Sequence, residues 1–109
     1  MKKFELNIGL LKGAGETGAV DIKKLKEWIR ATFAKIDRLA VVDGTEPTLY
    51  VSGRTYYTLK GFEEQLKNVC EEFSQEAIAY IYNGRGGLVH LDRSKWDWGE
   101  FNPSYFVRP

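Results

Sequence analysis

Hydrophobic and polar positions alternate at the start of the chain. Every second residue from Phe4 to Leu10 is apolar, and the residues between them are polar or small. This period of two is typical of a strand that buries one face. Residues 11–18 then contain three glycines and no apolar period, which predicts a loop. Asp21 follows with a carboxylate that can cap a helix, so the first strand leads through this loop into a helix.

Two stretches repeat their apolar positions every three to four residues, which predicts two amphipathic helices. The first has its apolar stripe between Ile22 and Ile36. The second begins after Thr58, its predicted N-cap. Its apolar stripe is the most regular in the chain and consists of Leu59, Phe62, Leu66, Val69, Cys70 and Phe73. Its carboxylates are expected on a solvated face and comprise Glu63, Glu64, Glu71 and Glu72.

A first strand pair is predicted in the middle of the chain. Residues 39–42 are apolar and end in β-branched valines, and residues 48–52 follow after a short turn-forming stretch. Neighbours of this kind most simply form an antiparallel hairpin. We expect Gly53 to end the returning strand or to form a bulge in it.

A second hairpin is predicted farther along the chain. Residues 77–82 and 87–91 flank the dipeptide Asn83-Gly84 and the two residues after it. Asparagine and glycine both tolerate a positive φ, so Asn-Gly between apolar runs is a strong hairpin signal. The predicted order of elements is therefore βαββαββ.

This order predicts an α+β domain. We expect a two-layer, ferredoxin-like sandwich in which both helices cover one face of an antiparallel sheet. The opposite face then needs cover, and we expect Tyr50, Tyr80 and Tyr82 on it. Residues 1–93 would form the single domain, and residues 94–109 an aromatic C-terminal extension.

The extension, residues 94–109, carries five aromatic side chains without a helical or strand period. Disordered segments are poor in aromatic residues because nothing offsets the exposure of their rings. We therefore expect this segment to cover the domain, a partner subunit or a ligand, and the sequence does not decide between packing in cis and exchange between subunits. The predicted interface residues are Phe101, Tyr105 and Phe106.

Composition narrows the classes of function. A chain of 109 residues is one domain, and its 16 basic and 15 acidic residues give a net charge of +1. No global field steers such a protein to nucleic acid or to an anionic membrane, so a nucleic acid is not an expected partner. The apolar runs are too short for a membrane helix, and the N-terminus does not resemble a signal peptide. We expect a cytoplasmic protein.

The residue types of catalysis are sparse. The chain has one histidine, His90, and one cysteine, Cys70, which lies on an apolar helical stripe and is expected to be core. No set of ligands has the close spacing of a metal site, and no cofactor is implied. We therefore expect a protein that binds rather than one that catalyses.

The glycine loop formally matches the spacing Gly-x-Gly-x-x-Gly at Gly13, Gly15 and Gly18. Such a loop between a strand and a helix can hold a phosphate on backbone N–H groups. However, Glu16 and Asp21 place negative charge where the anion would sit. A flexible connector is favoured, and an anion site remains the alternative.

Arginines close to aromatic residues are the features that best suit a ligand. Arg85 is expected to project from the tight turn of the second hairpin, and Arg54 precedes two tyrosines. If both arginines and the aromatic extension converge, they form a stacking pocket for a small anionic, nucleotide-like molecule. The predicted ligand-binding residues are Arg54, Tyr56, Arg85, His90, Trp96, Trp98 and Tyr105.

Three segments carry a resemblance to known proteins. The stretch 75–82, the turn at 84–88 and the motif Trp-Gly-Glu-Phe-Asn-Pro-Ser-Tyr-Phe at 98–106 resemble small uncharacterised proteins of bacteriophages and other mobile elements. Small phage proteins of this kind act by binding, which implies a homo-oligomeric protein that sequesters a nucleotide signal of a host defence system. The alternative is an inhibitor that docks on a host defence effector, as anti-CRISPR proteins do. A third hypothesis is a ferredoxin-like RNA-binding module with Tyr80 and Tyr82 as stacking platforms.

Overall fold

A five-stranded antiparallel sheet and two helices form the part of the chain that the computed structural model describes, residues 1–13, 17–44, 46–91 and 106–109. The elements are β1 (Lys2–Gly9), α1 (Ile22–Thr32), β2 (Lys35–Val42), β3 (Thr48–Thr55), α2 (Leu59–Glu72), β4 (Ala77–Tyr82) and β5 (Arg85–His90). The strand order is β2-β3-β1-β4-β5, so β1 is the central strand. The predicted α+β class is confirmed. The five-strand order as a whole differs from a four-stranded ferredoxin-like sheet, because β5 continues the sheet beyond β4.

Local side-chain chemistry starts the helices and the second hairpin where the sequence predicts. The Asp21 carboxylate accepts a hydrogen bond from the Lys24 N–H at 3.2 Å, and the Thr58 hydroxyl accepts one from the Gly61 N–H at 3.2 Å. Asn83 and Gly84 have φ values of 49° and 82° and connect β4 to β5. Both caps and the Asn-Gly turn are confirmed, but β5 starts at Arg85 instead of residue 87, so the connection is two residues long instead of four.

The end of α1 differs from the prediction. The helix ends at Thr32, and Phe33 has an extended backbone although its N–H still reaches the Ile29 carbonyl. Ile36 therefore belongs to β2, which starts at Lys35 instead of residue 39. β2 starts this early because its first residues pair with β3, and a contact between strands cannot be seen in the local apolar period.

Gly53 neither ends nor bulges β3, contrary to the prediction. It lies inside the strand, and the irregularity lies on β2 between Ile36 and Arg38. A Cβ at Gly53 would collide with the Lys35 carbonyl oxygen and approach the Phe4 ring. The glycine therefore allows β2 to pass close to β3.

Both helices contribute to a hydrophobic core on one face of the sheet. The rings of Phe4, Phe33 and Phe62 lie 4.9 to 5.6 Å apart and form its centre. Tyr80 and Tyr82 also belong to this core, so their prediction on the opposite face is wrong. They pair with Leu6 and Phe4 in the sheet, and cross-strand partners project from the same face. Tyr50 does lie on the opposite face, as the partner of Asn7.

Neither α1 nor α2 is long and apolar enough to span a bilayer, and no other helix is present among the described residues.

Candidate anion-binding groove

The sheet face opposite the helices, called the open face below, carries a row of three cations. Lys3 on β1 pairs in register with Arg54 on β3, which pairs in turn with Lys35 on β2. All three are exposed. Like charges that face each other across strands destabilise a sheet. This cation row therefore gains from an anion that binds over it.

The cation row has one acidic neighbour at ion-pair distance within the described residues. The Asp37 carboxylate lies 3.9 Å from the Arg54 Nε atom, and both side chains are about half exposed. An ion pair of this length and exposure contributes little and leaves the guanidinium available to solvent.

Residues 106–109, called the strap below, lie over the middle of the open face. The Asn7 side chain donates to the Val107 carbonyl at 2.9 Å and accepts from the Val107 N–H at 2.7 Å. The backbone of β1 is paired on one side with β3 and on the other with β4. The strap therefore cannot join β1 as a strand, and the Asn7 carboxamide takes the place of a peptide group.

Arg108 and Phe106 complete the docking of the strap. The Arg108 Nε and Nη2 atoms donate to the two Glu5 carboxylate oxygens at 2.9 and 2.8 Å. Phe106 is buried and meets Tyr50 edge to face, with ring centroids 6.4 Å apart. The Arg108 guanidinium lies 5.2 Å from the Phe106 ring centroid. Each of these contacts of the strap involves at least one side chain.

The charge of Glu5 is stabilised by this contact. The hydrogen bond from Arg108 is the largest effect on its carboxyl and lowers the pKa, against a rise from burial. The Tyr50 hydroxyl also donates to Glu5, which lowers the pKa further. The Tyr50 pKa is raised, first by burial and then by the neighbouring carboxylate. Glu5 is therefore ionised at neutral pH and neutralised by Arg108.

A groove of about 660 Å³, called the basic groove below, runs between the strap and the cation-row end of the sheet. Three cationic and two acidic side chains line it, together with a floor of glycine and isoleucine. Its lining consists of Lys3, Phe4, Glu5, Asp37, Tyr50, Ser52, Gly53, Arg54, Ile81, Gly84, Gly86 and Arg108. A second groove of about 500 Å³ lies on the other side of the strap, where Asn7 and Val107 are part of its wall.

The structure does not bring Arg54 and Arg85 together. Arg54 lines the basic groove on the open face. Arg85 is the first residue of β5 and pairs with Tyr82, which faces the helices. The two arginines therefore lie on opposite faces of the sheet, and the ligand-binding role of Arg85 stays a prediction. Because β5 begins directly after a two-residue turn, its first side chain is fixed to the helix-covered face.

Tyr56 and His90 also lie away from the groove. Tyr56 follows the end of β3 with 80% of its surface exposed. It lines a cavity of about 250 Å³ with Tyr57 and Arg54. His90 pairs with Ala77 on the open face, several residues along the strands from the row that contains Lys3. Of the predicted ligand residues that are described, Arg54 alone lines the basic groove.

Several predicted residues lie outside the described ranges, namely Trp96, Trp98, Phe101 and Tyr105. Their predicted roles stay predictions. Phe106 is described and packs on Tyr50 of its own chain, and its role at an interface between subunits also stays a prediction.

The glycine loop offers fewer free backbone donors than the alternative anion site requires. The Lys12 N–H donates to the Gly18 carbonyl at 2.8 Å, and the Gly13 N–H donates to the Ser74 carbonyl at 2.7 Å. Gly15 and Glu16 lie outside the described residues. These two bonds favour the connector hypothesis, because amides that are already bonded do not hold a phosphate.

One carboxylate of α2 is buried, although the sequence predicts a solvated face for it. Glu63 is 8% exposed and accepts a hydrogen bond from the Tyr80 hydroxyl at 2.9 Å. Burial raises the pKa of Glu63, and burial together with this carboxylate raises the pKa of Tyr80. The sequence contains one signal of this burial, because the helical period of α2 places Glu63 beside Phe62, at the margin of the apolar stripe.

Cys70 is buried in the core, as predicted. Burial raises the pKa of its thiol to about 12, so it stays protonated at neutral pH and is a poor nucleophile.

The residues of the open-face site that the sequence did not identify are Lys3, Glu5, Asn7, Lys35 and Arg108. The alternation of β1 placed the first three on one polar face, but the register with β3 and the docking of the strap are contacts between distant parts of the chain. Comparison of the chain with protein-family models, with curated proteins and with solved structures finds no match.

Proposed function

We propose that this protein binds, without catalysis, a small anionic, nucleotide-like ligand in the basic groove. The observation that carries the proposal is the cation row, of which Lys3 and Arg54 line the groove, while Lys35 pairs with Arg54 on the neighbouring strand. Three like charges in register repel one another, and a bound phosphate or carboxylate converts that repulsion into attraction. The arginine supplies a planar fork for the anion, and the lysines supply mobile point charges.

The size and floor of the groove suit such a ligand. About 660 Å³ lies within the range of roughly 300–1,000 Å³ that is usual for small-molecule sites. Ile81 pairs with Gly86 across β4 and β5 on this face. Gly86 has no side chain, so it leaves room beside Ile81 for a planar ring. The aromatic partners predicted for such a ring, Trp96 and Trp98, remain part of the proposal.

The biological role that we propose is sequestration of a nucleotide signal, which counteracts a host defence system. The resemblance of three segments to phage and mobile-element proteins supports it. A cytoplasmic location and a homo-oligomeric state belong to the same proposal. So does a ferredoxin-like relationship of the first four strands, supported by the position of β1 between β3 and β4.

Calorimetry with ADP-ribose, AMP and cyclic dinucleotides tests the ligand class. We expect at least one of them to bind the unmodified chain. The double variant Lys3→Gln, Arg54→Gln should bind it at least about tenfold more weakly, because each lost charge-assisted hydrogen bond removes roughly 1.5–3 kcal/mol. Arg30→Gln is the matched control, since Arg30 is exposed on α1 and does not line the groove.

The absence of heat with every member of this panel at high protein concentration would contradict the proposal. Equal affinity of the double variant and the control would contradict the location of the site.

The second candidate function is inhibition of a host defence effector by direct contact. The exposure of Tyr56, 80% of whose surface is accessible, favours it. Tyrosine is enriched among the residues that dominate binding energy at protein interfaces. With a purified candidate effector, Tyr56→Ala should abolish binding while Lys3→Gln leaves it unchanged. If instead Lys3→Gln abolishes binding and Tyr56→Ala leaves it unchanged, the effector binds at the basic groove.

The third hypothesis loses its structural support. Tyr80 and Tyr82 lie in the core and donate hydrogen bonds to Glu63 and to the Tyr57 carbonyl. Neither ring is available to stack on an RNA base.

A further inference from the structure

We propose that Arg108 is a ligand-binding residue of the basic groove, delivered by the strap. This inference rests on the proposed function and adds to it a residue far from the cation row in sequence. Its guanidinium donates hydrogen bonds to the same anionic ligand that the cation row attracts.

The first argument is position. Arg108 and Arg54 both line the basic groove, although one lies on the strap and the other on β3. Asn7 fixes the strap by two hydrogen bonds to Val107, the residue before Arg108. Glu5 then fixes the guanidinium itself through a two-pronged contact. The backbone before Arg108 and its guanidinium are thus both held in place. Such an arginine loses little conformational freedom when it binds a ligand, so its hydrogen bonds contribute more to affinity.

The second argument is donor capacity. A guanidinium has five N–H donors, and the contact with Glu5 employs Nε–H and one N–H of Nη2. Three donors do not contact Glu5, one on Nη2 and two on Nη1, and the neighbouring Tyr50 hydroxyl also hydrogen-bonds with the guanidinium. The Arg108 side chain is 49% exposed, so these donors are accessible to a ligand.

The third argument is charge. Glu5 lines the same groove and would repel an anion if it were unpaired. Its pairing with Arg108 removes that obstacle. Arg108 therefore has two separable effects on binding, since it neutralises Glu5 and it donates directly to the ligand. The inference is the direct contact.

Calorimetric titration of ADP-ribose and of inorganic pyrophosphate into the full chain and its variants separates these effects. Arg108→Gln should weaken binding of the probe by at least about tenfold, the loss expected for a charge-assisted hydrogen bond. Arg108→Lys should bind with intermediate affinity, because it keeps the charge and loses the fork. Glu5→Gln is the reference for the next comparison, because it removes the carboxylate charge from the groove and also releases the Arg108 guanidinium from its contact with Glu5.

The decisive variant is the double change Glu5→Gln, Arg108→Gln. If Arg108 contacts the ligand, the double variant stays at least about tenfold weaker than Glu5→Gln. If Arg108 only neutralises Glu5, the double variant regains the affinity of the unmodified chain, which would overturn the inference. Arg30→Gln serves as the control for loss of one positive charge, and urea midpoints establish that each variant is folded. If Arg108→Gln does not fold, Arg108→Lys is compared with the unmodified chain instead. Weaker binding by Arg108→Lys then supports the direct contact, and equal binding overturns it.

The outcomes distinguish this inference from the proposed function. Binding by the unmodified chain with equal affinity in Arg108→Gln overturns the role of Arg108 alone. No binding of pyrophosphate, ADP-ribose, AMP or any cyclic dinucleotide by the unmodified chain overturns both. Binding of ADP-ribose without pyrophosphate supports a nucleotide-like ligand, and equal binding of both supports recognition of the phosphates themselves.

Discussion

The two faces of the sheet are built from the same strand, and they are stabilised in different ways. On β1, Phe4 and Leu6 project into a core of apolar rings and aliphatic side chains. On the open face, Glu5 and Asn7 hold the strap by hydrogen bonds and one ion pair. Burial of apolar area is strong and independent of pH, whereas partly exposed polar contacts are weak and respond to pH and salt. The helix-covered face therefore sets the stability of the protein, and the open face is free to be specialised for binding.

The largest effect is expected for removal of a core ring. Phe62 is fully buried and its ring lies 5.2 Å from those of Phe4 and Tyr82. Phe62→Ala should lower the free energy of unfolding by about 3–5 kcal/mol, because it removes apolar contacts and leaves a cavity. Urea denaturation measures this loss. Asn7→Ala is the comparison on the open face and should cost less than half as much, and equal losses would mean that the two faces do not differ as we infer.

A smaller effect is expected where the core meets β5. A Cβ at Gly87 would clash with the Tyr80 hydroxyl and ring, because it would lie well inside van der Waals contact. Gly87→Ala should therefore displace Tyr80 and cost about 1–3 kcal/mol in the free energy of unfolding. Gly44→Ala is the matched control, because its added Cβ would meet an atom at 3.9 Å and its φ is not positive. If both variants unfold at the same urea concentration, Tyr80 is not held against Gly87.

The polar pair inside the core gives a pH-dependent test. Tyr80→Phe removes the hydrogen bond to Glu63 and should cost about 1–2 kcal/mol at neutral pH. Burial raises the pKa of Glu63, so its contribution to stability is complete below the pKa of the unfolded chain and is lost as the pH rises through the folded pKa. The bond from Tyr80 opposes that rise. The penalty of Tyr80→Phe should thus shrink as the pH falls to about 4, and a penalty that is constant with pH would show that the bond from Tyr80 does not lower the pKa of Glu63.

The sequence predicted those features that neighbouring residues determine. Asp21 and Thr58 cap helices through bonds to residues three positions away, and Asn83-Gly84 forms a turn by its own backbone preference. The alternation of β1 separated its two faces correctly.

The features that the sequence missed depend on pairing between distant segments. Both faces of β4 are apolar, so a period of two could not tell which one meets the helices, and its register with Phe4 and Leu6 places Tyr80 and Tyr82 there. The cation row depends on the registers of three strands. The contact between Arg108 and Glu5 joins residues 103 positions apart, beyond the reach of any local pattern.

The smallest expected effect is undocking of the strap at low pH. Because the core should not respond to this change, the experiment compares the two faces within one molecule. Arg108 lowers the pKa of Glu5 from its usual value of 4.5, so the ion pair contributes to docking at neutral pH. This contribution is lost as the pH falls through the lowered pKa, since a protonated carboxyl no longer attracts the guanidinium. The side chain of Arg108 is half exposed, and solvent screening limits the effect to about 1 kcal/mol or less.

Amide resonances in NMR spectra follow this release. Between pH 7 and pH 3, the Val107 N–H, which donates to Asn7, should shift toward the position of an undocked strap. The Phe62 N–H, which donates to Thr58 within α2, should stay in place. In Glu5→Gln the shift of Val107 should be absent, because no carboxylate remains to titrate. If the Val107 and Phe62 resonances shift together, the strap does not separate from the core. The open face would then be an integral part of the folded unit, and it could not be altered without unfolding the protein.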